Sequence, residues 1–274
     1  MVSRRNKDDK DAADFHPATL PRRVFFAPNP SRVSHVPLPA VKPKKSELAR
    51  LMSHFALFRE IPLRTLNEIA SVANVRVYRR GEFLWQRGDQ VGDIFLLESG
   101  FVKVARRDRT GASKTYGLYG PGDAIGLFAM CAGMKHSIDA VALNEGLRTI
   151  CIDALDFLKF TENSALLSAN LRNELTRFTE ALINKIEVVT AGAIPQRVAV
   201  LMIQLIDRYG VDADGHRARL PFSLTLAQMS EIIGARLETV ARVLGEWKRA
   251  DWVTTDAGGF DFSRLDKIRE LLPN

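Results

Sequence analysis

The sequence has little cysteine and no long apolar run. Its 274 residues contain only Cys131 and Cys151, which excludes a disulfide framework and a four-cysteine metal cluster. No stretch of eighteen or more apolar residues occurs, so no membrane-spanning helix is predicted. The first residues, MVSRRNKDDKDAADF, lack the apolar centre of a secretory signal. These absences predict a reduced, cytoplasmic protein without membrane association.

Motifs of catalysis are also missing. The sequence has no paired carboxylates with a histidine, no phosphate-binding loop and no metal-ligand spacing. We therefore expect no enzyme activity, no cofactor and no metal site.

The excess of positive charge is confined to one end of the chain. The net charge is +7, but residues 1–45 alone contain ten Lys and Arg against four Asp, together with seven of the twelve prolines. This composition predicts a disordered, basic, proline-rich tail over residues 1–45. A basic arm that strengthens DNA binding electrostatically is the alternative. Because the remaining charges nearly balance, a DNA-binding face must arise from the placement of charge within the folded part.

Residues 46–153 predict a β-rich domain that begins with one or two short helices. The helices are indicated by apolar residues at helical spacing: Leu48, Leu51, Phe55, Leu63, Leu66, Ile69 and Ala70. From Val75 to Ile152, short apolar segments alternate with frequent glycines, which favours a sandwich or barrel of antiparallel strands. Its inward-facing side chains are expected to be Phe83, Trp85, Ile94, Leu96, Val102 and Val104 or their neighbours.

Residues 154–192 predict a dimerisation helix. No glycine or proline interrupts residues 154–190, and apolar residues step by 4, 3 and 4 along the seam Leu171, Leu175, Phe178 and Leu182. This is coiled-coil spacing, and a twofold homodimer is the commonest way to bury it. The seam continues to Val189 through Lys185 in strict register or through Ile186 with a slip. A helix packed only on its own β-domain is the alternative.

Residues 193–274 predict a winged helix-turn-helix. A helix from Gln196 to Tyr209 lies between Pro195 and Gly210. In the following stretch, Thr225 and Gln228 form a capping box, and Gly234 suits the sharp turn between two helices. The second helix has an inward face at Val240, Val243, Leu244 and Trp247. After it, WVTTDAGGFDF predicts two strands joined by a reversal at Gly258 and Gly259, which is a wing.

Four residues near the start of the second helix are candidates for base contacts: Leu237, Glu238, Ala241 and Arg242. Glu238 and Arg242 lie four residues apart on one helix face. Arginine pairs bidentately with guanine, and a carboxylate accepts a hydrogen bond from the cytosine amino group. An exposed salt bridge between the two is the alternative.

From about residue 55 to residue 262 the chain resembles the Crp/Fnr superfamily of transcription regulators. The matching motifs occur in order: GEFLWQRGD, LLESG and GPGDAIG, then the long helix, then LETVARVLGEWKRADWV. The resemblance implies an α+β chain with an N-terminal jelly-roll, a dimerisation helix and a C-terminal winged helix-turn-helix. It further implies a homodimer that binds double-stranded DNA in successive major grooves and contacts RNA polymerase.

The resemblance extends to single positions of the second helix. The E-x-x-x-R pattern of the family is present as Glu238 and Arg242, and Thr225 and Thr239 match positions that contact phosphates. The cyclic-AMP receptor has an arginine where this chain has Leu237, whereas the Fnr branch has an apolar residue. The Fnr branch has a serine where this chain has Ala241. We therefore expect an inverted repeat of TTGA-like half-sites.

The ligand cassette of the family is degenerate here. Cyclic-nucleotide binders use a Gly-Glu pair for the ribose and an Arg-Ser or Arg-Thr pair for the phosphate. Gly126 and Ser137 match, but Leu127 and His136 replace the charged residues, which predicts no cyclic-AMP binding.

The signal remains open. The tail has no cysteines for an iron-sulfur cluster. Cys131 as a redox switch, His136 as a haem ligand, another small ligand, and no ligand all stay possible. The alternative function is a ligand- or redox-sensing module whose main role is not DNA recognition.

Overall fold

The computed structural model describes residues 44–109, 113–256 and 258–273. The predicted disordered tail at residues 1–45 lies almost wholly outside these ranges. The described chain begins with α1 (Lys45–Met52), a 3₁₀ turn (Ala56–Phe58) and α2 (Leu63–Val72). The two helices bury Leu48, Leu66, Ile69 and Ala70 as predicted. Leu63 is 57% exposed instead, because it opens α2 and its side chain projects away from the core.

Eight strands follow and form two four-stranded antiparallel sheets. They are β1 (Asn74–Tyr78), β2 (Phe83–Trp85), β3 (Asp93–Ser99), β4 (Val102–Arg107), β5 (Ser113–Tyr119), β6 (Ala124–Ile125), β7 (Asp139–Ala142) and β8 (Leu147–Asp153). One sheet has the order β1-β8-β3-β6 and the other β2-β7-β4-β5. This crossed pairing confirms the predicted jelly-roll, which we call the sensor domain.

The core of the sensor domain has two layers. Side chains from both sheets meet between them, among them Trp85, Val102 and Val104. On the outer face of the first sheet, Ile94 and Leu96 pack against α1 and α2, the leading helices. Trp85, Val102 and Val104 face inward as predicted. Ile94 and Leu96 do not, because side chains alternate along β3 and their neighbours Phe95 and Leu97 fill the space between the sheets. Phe83 is only half-buried at the start of the three-residue strand β2.

Three helices lie against the sensor strands: α3 (Leu127–Cys131), α4 (Ala154–Glu162) and α5 (Ala165–Thr190). The segment predicted as one helical stretch over residues 154–192 is divided, because α4 ends at Asn163 and Ser164 caps a new helix. The Ser164 side chain accepts a hydrogen bond from the Leu167 amide at 3.2 Å. The Asn163 amide nitrogen donates to the Lys159 carbonyl at 2.7 Å and closes α4.

The remaining elements form a C-terminal unit, here called the DNA-binding domain. They are α6 (Ile194–Tyr209), β9 (Ala218–Leu220), α7 (Leu226–Ile233), α8 (Leu237–Arg249), β10 (Val253–Asp256), β11 (Gly259–Phe262) and α9 (Leu265–Arg269). The strands pair in the order β10-β11-β9. The predicted winged helix-turn-helix is confirmed, while β9 and α9 were not predicted. No helix of the described chain is long and apolar enough to cross a bilayer.

Candidate nucleic-acid interface and sensor cavity

The start of α7 and its turn into α8 are fixed by local chemistry. The Thr225 hydroxyl accepts from the Gln228 amide at 3.2 Å, while the Gln228 side chain accepts from the Thr225 amide at 2.8 Å. This is the predicted capping box. Gly234 ends α7 with φ +66°, a left-handed conformation that glycine adopts without strain. The conformation of this turn sets the angle between α7 and α8.

Helix α8 has one buried and one exposed face. Its buried side chains are those predicted: Val240, Val243, Leu244 and Trp247. On the other face Glu238 and Arg242 are exposed, Leu237 is 43% exposed and Ala241 is half-buried. Glu238 and Arg242 form no ion pair with each other or with another described residue. Their hydrogen-bonding groups are therefore available to a partner outside the chain.

The two threonines lie at the helix starts. Thr225 is exposed at the N-cap of α7, and Thr239 is half-buried in the first turn of α8. Helix N-termini carry unpaired amides and a partial positive charge that favour phosphate.

The wing is held by side chains of the DNA-binding domain itself. Arg219 on β9 donates to Asp261 at 2.5 Å and to Asp256 at 3.4 Å, which ties both wing strands to β9. Lys248 in the last turn of α8 donates to the Thr255 hydroxyl at 2.6 Å. The wing strands are therefore linked by side-chain hydrogen bonds both to β9 and to α8.

Much of the predicted dimer seam faces the chain's own sensor domain. Leu171 is only 7% exposed and lies in the core against the leading helices, and Leu175 packs against that core. Phe178 packs on the core between the sheets and stacks on Phe128 with ring centroids 5.2 Å apart. Leu182 is 36% exposed. The seam therefore needs correction at Leu171, because the sensor domain already covers this side of α5.

A second row of α5, displaced by one residue from the predicted seam, faces solvent. Its exposed members have the same heptad spacing: Thr176, Thr179, Ile183, Ile186 and Thr190. Ile183 is 58% exposed and Ile186 is 60% exposed. Val189 is half-buried between the two rows. Sequence spacing could not choose between the rows, because both step by 4, 3 and 4.

A cavity of about 90 Å³ lies between the sensor strands and α5. Its wall is largely apolar, with a few charged and polar groups. Its lining includes Trp85, Tyr119, Asp123, Leu127, His136, Ser137, Glu174, Arg177, Phe178 and Arg208. The cassette residues identified from the sequence thus share one cavity with charged residues that were not identified.

The cassette residues do not present charge to this cavity. Gly126 caps α3 with φ +90°, and Leu127 is buried against the core of the leading helices. His136 stacks on Trp85 with ring centroids 4.3 Å apart. Burial lowers the pKa of His136, although Asp89 partly opposes the shift. The imidazole is therefore neutral at neutral pH.

The four charged groups of the cavity are paired with each other. Arg177 donates to Glu174 at 2.7 Å, and Arg208 donates to Asp123. Desolvation by burial raises the pKa of Glu174, which Arg177 opposes. Neither arginine is left available for a ligand phosphate without breaking an ion pair.

The two cysteines differ in exposure. Cys131 is exposed at the end of α3, and partial desolvation by neighbouring atoms raises the pKa of its thiol. Cys151 is buried in β8, with its sulfur 3.2 Å from the Thr149 hydroxyl. A raised pKa disfavours the thiolate that oxidants attack. Among the described residues, no group of three or more His, Cys, Asp or Glu side chains could hold a metal ion.

Two family models match successive parts of the chain. Residues 75–164 match the cyclic nucleotide-binding domain, and residues 196–271 match the Crp-like helix-turn-helix domain. Together the matches span more than half of the chain. They coincide with most of the sensor domain and with most of the DNA-binding domain.

Several proteins are similar to this chain over most of its length. The transcriptional activator protein anr of Pseudomonas aeruginosa is 26% identical over 84% of this chain and 91% of its own length. A CRP-like cAMP-activated global transcriptional regulator of Mycobacterium tuberculosis is 24% identical over 70% of this chain and 84% of its own length. The solved structure of FixK2 from Bradyrhizobium japonicum shares the fold, with a TM-score of 0.65 and 16% identity. It covers 74% of this chain and 98% of its own.

Proposed function

We propose that this chain, which belongs to the Crp/Fnr family of transcription regulators, acts as a homodimer on an inverted DNA repeat with TTGA-like half-sites. The main support for the proposal is the exposed face of α8. It presents Glu238 and Arg242 together, beside the apolar Leu237 and Ala241. Arginine to guanine, glutamate to cytosine and an apolar side chain to the thymine methyl are the contacts that these residue types favour in a major groove.

We assign register on the DNA to phosphate contacts of Thr225 and Thr239. Both lie at helix starts, where the partial positive charge of the helix favours phosphate binding. Such contacts position the protein without sequence preference.

The homodimer is supported by the apolar row on α5. Ile183 and Ile186 are large, exposed and correctly spaced for a coiled-coil contact with a second copy. We assign the dimer contact to this row, with Leu182 and Val189 at its margin. We also propose contact with RNA polymerase, which the resemblance to the family supports, and we propose no catalytic role.

We further propose that the sensor domain does not respond to cyclic AMP, although the Mycobacterium tuberculosis relative is described as cAMP-activated. Leu127 offers no acceptor for ribose hydroxyls, and His136 is neutral. A cyclic phosphate would therefore enter a mostly apolar cavity without a free cation, which is costly.

Calorimetry with cyclic AMP tests the sensor. We expect no measurable binding heat, and micromolar affinity would contradict the proposal. A gel shift with genomic DNA in the presence of competitor tests the main function. Strong binding that competitor does not remove is expected of a sequence-specific regulator. A ligand- or redox-sensing module without a DNA role would show only weak, fully competed binding.

A further inference from the structure

The turn between β5 and β6 is tied to the DNA-binding domain by one carboxylate. Asp123 is 8% exposed and accepts three hydrogen bonds. The Gly120 amide donates to it at 2.8 Å within the turn, and the Tyr209 hydroxyl donates at 2.8 Å from the end of α6. Arg208, also on α6, completes the set with an ion pair. The last turn of α6 is therefore bound to the sensor domain.

Aromatic packing reinforces the same contact. Phe101 of the sensor domain stacks on Phe222 with centroids 3.7 Å apart and meets Tyr209 edge-on at 5.1 Å. Gly120 fits closely below them. A Cβ atom at Gly120 would lie 2.4 Å from the Phe101 ring and 2.8 Å from the Tyr209 ring.

A second polar contact holds the first helix of the helix-turn-helix. Glu231 on α7 accepts from Lys103 on β4 at 2.8 Å and from the Thr115 hydroxyl on β5 at 3.3 Å. Lys103 and Glu231 are partly exposed, so their ion pair stabilises the contact less than the Asp123–Arg208 pair does.

These contacts leave the outer face of α8 exposed while they fix the direction in which it points. In a twofold dimer, the separation of the two α8 helices then depends on how each DNA-binding domain sits on its sensor domain. We propose that Asp123 is a positioning residue for DNA recognition, because its bonds to Arg208 and Tyr209 fix the spacing between the two α8 helices of the dimer. The inference rests on the proposed dimeric function. Asp123 and Arg208 also line the cavity, so their ion pair connects the cavity directly to the DNA-binding domain.

The test compares full-length dimers on three kinds of DNA: a single half-site, the inverted repeat selected by the wild-type protein, and repeats with one or two base pairs added or removed. For Asp123→Asn we expect unchanged affinity for the single half-site. Affinity for the selected repeat should fall by at least about tenfold, because misplaced domains lose the benefit of binding twice. The preference among spacings should flatten. A merely structural role would weaken all three kinds of DNA alike.

Two further variants keep the test decisive. In Gly120→Ala the added methyl group collides with Phe101 and Tyr209 and pushes the two domains apart without removing a charge. This variant should therefore reproduce the flattened spacing preference even if Asp123→Asn folds poorly. Glu98→Gln is the matched control, because it breaks a buried ion pair with Arg148 inside the sensor domain. The control should keep the wild-type spacing preference.

The outcomes separate the inference from the proposed function. If both interface variants remain folded dimers with wild-type spacing preference, or if they lose half-site binding equally, the positioning role is wrong. If the wild-type protein itself binds one half-site as tightly as two, the proposed dimeric function fails and the inference fails with it.

Discussion

Arg242 is the residue whose removal should change sequence preference most sharply. Its guanidinium is exposed on the second turn of α8, where it can pair bidentately with one guanine. We expect Arg242→Ala to cost about 1–3 kcal/mol in binding free energy and to relax preference at that base pair alone. Anisotropy titrations on duplexes with each base pair substituted in turn measure both effects.

Thr239→Ala supplies the contrast on the same helix. If Thr239 contacts phosphate, its loss should weaken binding to every duplex by a similar factor, and the order of preference should stay unchanged. A single base pair that became indifferent in Thr239→Ala, or a uniform loss in Arg242→Ala, would contradict the assignment of the two roles.

His136 should make the sensor domain sensitive to acid. Burial lowers its pKa in the folded state, so between that value and the ordinary value near 6.5 the unfolded chain binds more protons than the folded chain. Folding stability linked to His136 is therefore complete above about pH 6.5 and is lost as pH falls through the lowered pKa. Urea unfolding between pH 7.5 and pH 5 should show this decline.

His136→Phe is the matched variant, because a phenyl ring can keep the stacking on Trp85 but cannot be protonated. We expect the stability difference between wild type and variant to change steadily as pH falls below about 6.5, in favour of the variant. If the free energies of unfolding of the two proteins changed in parallel over that range, the pKa of His136 would not be lowered in the folded protein.

Helices and strands were predictable where their signals are local. The capping box at Thr225, the glycine turn at Gly234 and the inward face of α8 lie within a few residues of each other, so the sequence alone places them. The break at Asn163 and Ser164 was missed, because capping competes with an otherwise continuous helical pattern. The burial of Leu171 could not be predicted for another reason: the side of α5 that is buried depends on the distant strands and on α1 and α2, which pack against it.

The exposed row of α5 that contains Ile183 and Ile186 can be tested by added charge. Ile183→Glu combined with Ile186→Glu places two like charges in the row that we assign to the dimer contact. Burying each isoleucine is worth roughly 1.5–3 kcal/mol, and a charge in its place adds a desolvation cost. We expect monomers in sedimentation velocity and loss of specific DNA binding.

Leu155→Glu is the control for added charge. Leu155 is 69% exposed on α4, outside both rows of α5, so its substitution should leave the dimer intact. A doubly substituted Ile183 and Ile186 protein that still sediments as a dimer would move the contact back toward Phe178 and Leu182.

At the scale of the whole molecule, the contact between the two domains could not be predicted from the sequence. Asp123 and Arg208 are 85 residues apart. Asp123 lies in the GPGDAIG motif, but nothing in that motif indicates a partner on α6. Burial of Tyr209 against them raises the pKa of its hydroxyl well above the ordinary range, which keeps it a hydrogen-bond donor at neutral pH. The charged lining of the sensor cavity could not be predicted either, because it is contributed by the turn between β5 and β6, by α5 and by α6, which come together only in the fold.

The DNA site follows from the symmetry of the dimer together with the residues of α8. A twofold dimer presents two copies of α8, so the site should be an inverted repeat whose half-site centres lie about one helical turn, roughly 10 base pairs, apart. Arg242 should pair with a guanine, and Glu238 should accept from the cytosine paired to a neighbouring guanine. Leu237 or Ala241 should meet a thymine methyl group, which gives a TTGA-like half-site.

Selection from a random DNA pool tests this prediction, with Leu237→Arg as the matched variant. The cyclic-AMP receptor has an arginine at this position and favours TGTGA half-sites, because the arginine supplies donors to the outer guanine. Leu237 has no such donor, and it is exposed where an arginine would reach the groove. We expect the wild-type protein to enrich TTGA-like repeats and Leu237→Arg to shift the enriched half-site toward TGTGA. Enrichment of TGTGA by the wild-type protein, or of no symmetric motif, would show that α8 does not recognise DNA in this way.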